Sequence, residues 1–382
     1  MQQGDGSTWC RTQAVSGFLA AMVTLVLVGC AATPKSASAG AKEGDALAPL
    51  PPVAIPADNP QTPAKIELGK MLYFDPRLAG DSSISCAKCH VPEQGFASAL
   101  QMSPAYPATK HWRTVPTVLN AAYLEQLFWD GRSHSLEDQA KGPIQAPIEM
   151  NQNPGHLVEK LSQIPWYKQK FKEVFDHDVN FDDLAKAIAA FERTIVSKNV
   201  PFDKFLKGDK SALSEEQQRG LALFKGKAGC VRCHNGPVLS DQKLHATGVP
   251  EIEPLQKESD RIATRHFFAK DAGYKNYQID DDYGRELISK SAKDRYKFKT
   301  PSLREITETA PYMHNGAFET LEDVIDFYNA GGGKIANKDP LLEPLGLTDT
   351  EKDDLIAFLE SLTGDTISVQ APELPKKADG QL

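Results

Sequence analysis

The chain has 382 residues, 41% hydrophobic and 25% charged, with a formal charge of −8 at neutral pH. That length leaves room for two ordinary domains with real cores. The negative balance excludes a general nucleic-acid binder and leaves a basic partner protein open.

The N-terminal segment reads as targeting rather than fold. Arg11 precedes the apolar run AVSGFLAAMVTLVLVGC, which is too short, and too soon followed by polar linker, for a membrane span. Leu27-Val28-Gly29-Cys30 has the form of a bacterial lipobox. Cys30 is then the lipidated first residue of an exported periplasmic protein, whose only membrane attachment is that lipid anchor. An ordinary signal peptide with a chance cysteine is the alternative. Residues 1–30 thus form the signal segment and 31–60, rich in Ala, Pro, Ser and Lys, a flexible linker.

Of the six cysteines, Cys10 and Cys30 belong to that segment. The other four form two copies of one motif, Cys86-Ala87-Lys88-Cys89-His90 and Cys230-Val231-Arg232-Cys233-His234. This is the pattern of c-type haem attachment: two thiols add to the haem vinyl groups, and the adjacent histidine becomes an axial iron ligand. A four-cysteine zinc site would not require a histidine after each pair. A redox dithiol left free would oxidise outside the cytoplasm. Two covalent haems are therefore expected, held by His90 and His234, and export agrees with them.

Helix signals lead into each motif, GKMLYF from Gly69 and GLALF from Gly220. Ser214 and Gln217 form a capping box before the second. A closing helix also appears twice, with Leu184, Ile188, Phe191 and Ile195 at helical spacing, then Leu355, Phe358, Leu359 and Leu362. Thr348 and Glu351 cap the latter copy, and Gly364 is its expected stop. The expected fold is mostly α: two cytochrome c-like haem domains in tandem, pseudo-twofold related, over 61–205 and 206–365, with a surface tail at 366–382. The polar stretch between Gly236 and Pro301 is expected to form loops, with Asp280-Asp281-Asp282 solvated. His245 reads as a structural or surface residue.

The two halves share a finer frame. WDGRSHSLEDQAKGP (Trp129 to Pro143) matches HNGAFETLEDVIDFY (His314 to Tyr328), 185 positions later. Pro143 falls opposite Tyr328. A phenolic oxygen can bind ferric iron, whereas proline has no side-chain donor. The frame thus predicts a second haem held by His234 and Tyr328, and a first haem open opposite His90. A helical core role for Tyr328 beside Phe327 is the alternative. An open haem that cleaves peroxide needs a proton acceptor and donor above the iron. Glu149 and Gln139 lie near Pro143 and suit that role, with burial expected to raise the Glu149 pKa.

These residues resemble the bacterial di-haem cytochrome c peroxidases and their MauG-type relatives, from about residue 60 to 365. The carriers are both haem motifs, Pro116-Thr117-Val118-Leu119-Asn120, Phe128-Trp129-Asp130-Gly131-Arg132, Thr300-Pro301-Ser302-Leu303-Arg304 and Ala310-Pro311-Tyr312-Met313-His314-Asn315-Gly316. The resemblance implies a peroxide site at the N-terminal haem and electron entry at the C-terminal one. It places Trp129 between the haems, and Gln139, Pro143 and Glu149 in the distal pocket. It puts Thr309 and Pro311 carbonyls on a calcium ion, and a MauG-like tyrosine ligand at Tyr328, with Met313 as the rival. The implied electron donor is a small cytochrome c, a cupredoxin or a protein substrate. Departures are Thr114 where the family has a calcium-binding asparagine, the absence of tryptophan from Lys225 to Gly229, and His111 as a candidate displaceable ligand. The competing functions are a di-haem electron-transfer cytochrome without peroxidase activity and a gas-binding sensor.

Overall fold

The computed structural model describes residues 46–376, so the signal segment, the lipidation expected at Cys30 and the first part of the linker lie outside the described residues. Seven helices position the site: α1 (Pro63–Phe74), α2 (Leu136–Gln145), α3 (Phe181–Glu192), α4 (Glu215–Lys225), α5 (Ser259–Asp271), α6 (Leu321–Asn329) and α7 (Asp349–Glu360). Two antiparallel ribbons are the sheets among the described residues. One pairs β1 (Pro104–Ala105) with β2 (Thr109–Lys110), the other β3 (Leu244–Ala246) with β4 (Lys297–Lys299). The mostly helical expectation agrees with this architecture.

One helix crossing occurs twice. α1 packs on α3, and α4 packs on α7, each through a glycine. A Cβ at Gly69 would stand 1.8 Å from the Ala187 carbonyl oxygen, and one at Gly220 would stand 1.9 Å from that of Asp354. Mid-helix glycine costs about 1 kcal/mol relative to alanine, and the close backbone approach it permits offsets that. Reciprocal caps fix the starts of α4 and α7, Ser214 with Gln217 and Thr348 with Glu351. Gly69→Leu or Gly220→Leu should each lower stability by about 3 kcal/mol through overpacking, read as a lower denaturant midpoint.

The repeat seen in the sequence recurs in the backbone. Phe128 and Met313, 185 positions apart, have φ of 63° and 73°; Gly131 and Gly316 have 65° and 69°. The bridge Leu127–Ser133 recurs as Tyr312–Phe318. Ser135 caps α2 as Thr320 caps α6, each side chain accepting from the backbone N–H three residues on. Pro143 and Tyr328 therefore lie at matching places on matching helices.

The buried apolar residues form two main clusters. One gathers Leu68, Leu72, Phe96, Leu184 and Ile188, the other Phe202, Phe224, Leu355 and Phe358. A third cluster holds Trp112, Ile148, Ala269, Ile279 and Leu287. Its existence corrects the expectation of loops between Gly236 and Pro301, because α5 and the residues after it bury apolar side chains there. Asp282 is likewise buried, not solvated, since Arg113 pairs with it at 2.6 Å.

Three smaller expectations also change. The end of the linker is packed: Asn59 is fully buried, Leu47 joins the second cluster, and the Ala48 carbonyl accepts from Arg304. In the tail, Ile367 and Val369 pack on the first cluster and the Pro375 carbonyl accepts from Arg77. Ser361 closes α7 in right-handed geometry, so Gly364 is not its stop. A Cβ at Gly364 would meet the Lys198 carbonyl oxygen at 2.1 Å, so close approach explains that glycine.

Candidate active site

Each Cys-x-x-Cys-His segment forms a single tight turn. The His90 N–H donates to the Cys86 carbonyl and the His234 N–H to the Cys230 carbonyl, both at 2.8 Å. The His90 Nδ1 lies 3.3 Å from the Phe96 carbonyl, and the His234 Nδ1 lies 3.0 Å from the Leu239 carbonyl. A carbonyl can only accept, so Nδ1 carries the proton in both rings and Nε2 keeps its lone pair. Burial lowers both histidine pKa values, that of His234 to about 4. Each imidazole is thus neutral, the form that binds a metal.

A cavity opens beside each motif, with about 1020 Å³ of unfilled space at the first and about 1750 Å³ at the second, mouths included. The first is lined by Cys86, Cys89 and His90 together with Gln139, Pro143 and Glu149. The second takes in Cys230, Cys233, His234, Met313 and Tyr328, and also Thr309 and Pro311. Trp129 lines both. Burial pushes the Cys89 thiol up to about 12 and both Cys230 and Cys233 up to about 11. They are neutral thiols, and no disulfide joins them. Four thiols, two neutral imidazoles and two apolar-walled cavities fit two covalent haems.

Glu149 is held more specifically than the sequence suggested. Its Oε1 lies 3.4 Å from His111 Nε2, and its Oε2 is buried without a hydrogen-bond partner. His111 Nδ1 accepts the Arg113 backbone N–H at 3.1 Å, so in the neutral ring the proton sits on Nε2, facing Glu149. Both His111 nitrogens are engaged by protein. Burial raises the Glu149 pKa, but the hydrogen bond to His111 and the charge of Arg132 hold it below the ordinary value. The expected upward shift is therefore corrected: the His111 hydrogen bond and the nearby Arg132 outweigh its burial.

Gln139, on α2, lines the same cavity, and its side-chain amide has no hydrogen bond to a described residue. Pro143 sits within α2 and adds no donor. In the second cavity Tyr328 extends from α6, its hydroxyl unbonded to any described residue and its pKa raised by burial and by the neighbouring thiols.

Between the cavities, Trp129 Nε1 donates to the Thr114 carbonyl at 2.9 Å, and the Thr114 N–H donates to the His314 carbonyl at 2.9 Å. Under this link lies a buried ion network. Arg113 reaches Asp130 at 2.7 Å and Asp282 at 2.6 Å, and Arg132 reaches Asp130 at 2.9 Å. Sequence reasoning missed this network, and also Glu192, a buried carboxyl of the first cavity whose pKa burial lifts to about 8. His245 is clamped by Asp241 at 2.9 Å and Asp339 at 2.5 Å, a structural arrangement in line with its expected role.

Two covalent-haem sites on a helical frame define a di-haem c-type protein. The sequence profile of the di-haem cytochrome c peroxidases matches residues 63–211. The cytochrome-c peroxidase IdrP1 of Pseudomonas sp. (strain SCT) is 46% identical over 85% of this chain and 88% of its own. The methylamine utilization protein MauG of Methylorubrum extorquens is 37% identical over 85% of each. A crystal structure of a MauG-like protein associated with microbial copper homeostasis superposes with a TM-score of 0.71, at 32% identity, over 83% of this chain and 94% of that one. The chain belongs to the di-haem cytochrome c peroxidase family. It is a haem peroxidase, and the family implies two c-type haems and hydrogen peroxide as substrate.

Proposed function

We propose that this chain is an exported, periplasmic di-haem peroxidase whose halves, 61–205 and 206–365, divide the work. Hydrogen peroxide is reduced in the first cavity, and electrons enter through the second from a small cytochrome c, a cupredoxin or a partner protein. The observation that carries this reading is Glu149, which lines the cavity of His90 with its Oε2 buried and unpartnered among the described residues, while Pro143 offers no ligand there. His90 and His234 would hold the haem iron, with thioether links through Cys86, Cys89, Cys230 and Cys233, and the bound haem would supply the redox chemistry.

The protein side of the reaction follows from the residues. Glu149, ionised at neutral pH, takes a proton from the near peroxide oxygen and returns it to the leaving one. His111 holds Glu149 in place through Nε2, and the Gln139 amide donates to the bound peroxide. Trp129, touching both cavities, is the through-protein contact between the two haem sites. Tyr328 would offer its phenolic oxygen to the iron held at the second site, where such a donor would favour the oxidised state and a MauG-like oxidase. Met313 is the weaker candidate, because it repeats the loop position of Phe128, while Tyr328 repeats Pro143.

No step is assigned to calcium. Thr309 and Pro311 line the second cavity, but at position 114 the threonine carbonyl already accepts from Trp129 and its hydroxyl donates to Leu100. Two neutral carbonyls by themselves make a poor site for a dication.

Tyr328→Phe tests the ligand assignment. The variant should keep two haems per chain, and the low-spin signal of the second oxidised haem should change by loss of its oxygen ligand. An unaltered electron paramagnetic resonance spectrum removes Tyr328 from the iron.

A further inference from the structure

The third core cluster borders the first cavity and also carries partly exposed aromatic rings. Trp112 and Phe268 both line the first cavity, with ring centroids 5.2 Å apart. Trp112 also stacks at 6.0 Å on His111, the residue that holds Glu149. Tyr274 and Tyr283 pack against the same cluster. Tyr274 lies 6.1 Å from Tyr283, and Tyr283 lies 6.0 Å from Tyr296. All three tyrosines are partly exposed.

The rings differ in what they can do with a proton. Trp112 is 1% exposed, its Nε1 has no acceptor, and the Arg113 guanidinium sits 4.1 Å from its ring centroid. A positive charge on that ring is disfavoured by the cation above it, and a neutral radical there has nowhere to send its proton. The tyrosines also lie under cations, Arg295 at 4.1 Å from the Tyr283 ring and Lys290 at 5.6 Å from the Tyr274 ring, but each has a place to send its proton. The Tyr274 hydroxyl donates to Glu286 Oε1 at 2.7 Å, and the Tyr283 hydroxyl donates to Asp280 Oδ1 at 2.8 Å. A phenol that loses an electron becomes strongly acidic, and each of these has a carboxylate in place to take the proton.

We infer that Tyr274 and Tyr283 form a surface oxidation site, fed from the first cavity across the third core cluster, where one-electron donors too large for the cavity are oxidised. Phenols and aromatic amines are the substrate class. This rests on the proposed reduction of peroxide in the first cavity. Each peroxide consumes two electrons and two protons and gives two waters. Each electron leaves a tyrosine while its phenolic proton moves to Glu286 or Asp280. The donor then returns one electron, the carboxylate returns the proton, and two donor molecules are oxidised per peroxide. The protons consumed in the cavity come from solvent.

The test uses the haem-loaded protein, one equivalent of hydrogen peroxide, no donor, and rapid freezing. Electron paramagnetic resonance should show a tyrosyl radical that narrows when the protein is made with ring-deuterated tyrosine. A nitroso spin trap should leave its adduct on Tyr274 or Tyr283 in peptide mass maps. In Y274F/Y283F, which keeps both rings, the radical and the adduct should be lost while the optical response to peroxide persists. A radical undiminished in the double variant, or adducts only elsewhere, overturns the inference. An optical response in the wild-type protein without any tyrosyl radical also overturns it, while leaving the peroxidase reading intact. Absence of any response to peroxide defeats both.

Discussion

Replacing Glu149 with glutamine is expected to slow the reaction with hydrogen peroxide by about 10²–10⁴-fold, the range for loss of a positioned general acid–base. Haem content and thermal stability should stay near those of the parent, because the substitution is isosteric and, among the described residues, the carboxyl's one close partner is His111. Stopped-flow mixing with peroxide measures the rate directly. The pH profile separates a base from a mere spacer. The Glu149 pKa is depressed, so the base stays ionised through neutral and mildly acidic solution. The peroxide rate should therefore hold until the pH falls below the ordinary carboxylate value of about 4.3. A rate that halves near pH 6 would mean that bound haem, not His111 and Arg132, sets this carboxyl. An unchanged rate in the glutamine variant removes Glu149 from the mechanism.

Arg113→Ala is expected to cost about 3–5 kcal/mol of stability, the range for breaking a buried ion pair from one side. The guanidinium serves two carboxylates at once and also covers the Trp112 ring. Its removal leaves Asp282 buried without this cation and Asp130 dependent on Arg132 alone. Lysine should recover little, because a point charge cannot reproduce two divergent pairs. Burial alone would raise the Asp130 pKa, but Arg132 and Arg113 together depress it. A depressed carboxylate contributes stability above its unfolded value of about 3.9, and that contribution is lost as pH falls through the lower folded value. The difference between parent and variant should accordingly be largest near neutrality and shrink in acid. Denaturant unfolding at several pH values checks both points.

How far the sequence could be read depended on the range of the interaction. The haem motifs were legible because five adjacent residues carry the chemistry. The repeat was legible because Gly131 and Gly316 sit in the same left-handed turn and Ser135 and Thr320 in the same cap. Pro143 and Tyr328 followed from that register, and the fold puts each on the wall of its own cavity. Non-local pairing was not legible. Asp282 stands in a run of three aspartates that suits a solvated loop, and only the chain's return beside Arg113, 169 positions away, buries it. The third cluster takes Trp112, Ala269, Ile279 and Leu287 from stretches with no sustained apolar period, so no local pattern announced a core. The Glu149 pKa went the other way for the same reason. Burial could be anticipated from a pocket role, but the His111 contact depends on a loop brought in from 38 positions upstream.

The central claim is that the two haem sites are unequal, the first open to peroxide and the second closed by a protein ligand. Electron paramagnetic resonance of the oxidised, haem-loaded protein tests it most directly, before and after one equivalent of hydrogen peroxide. One high-spin and one low-spin ferric signal, with the high-spin signal lost on adding peroxide, is the predicted result. Two low-spin signals that peroxide leaves unchanged would contradict it and describe an electron-transfer cytochrome instead.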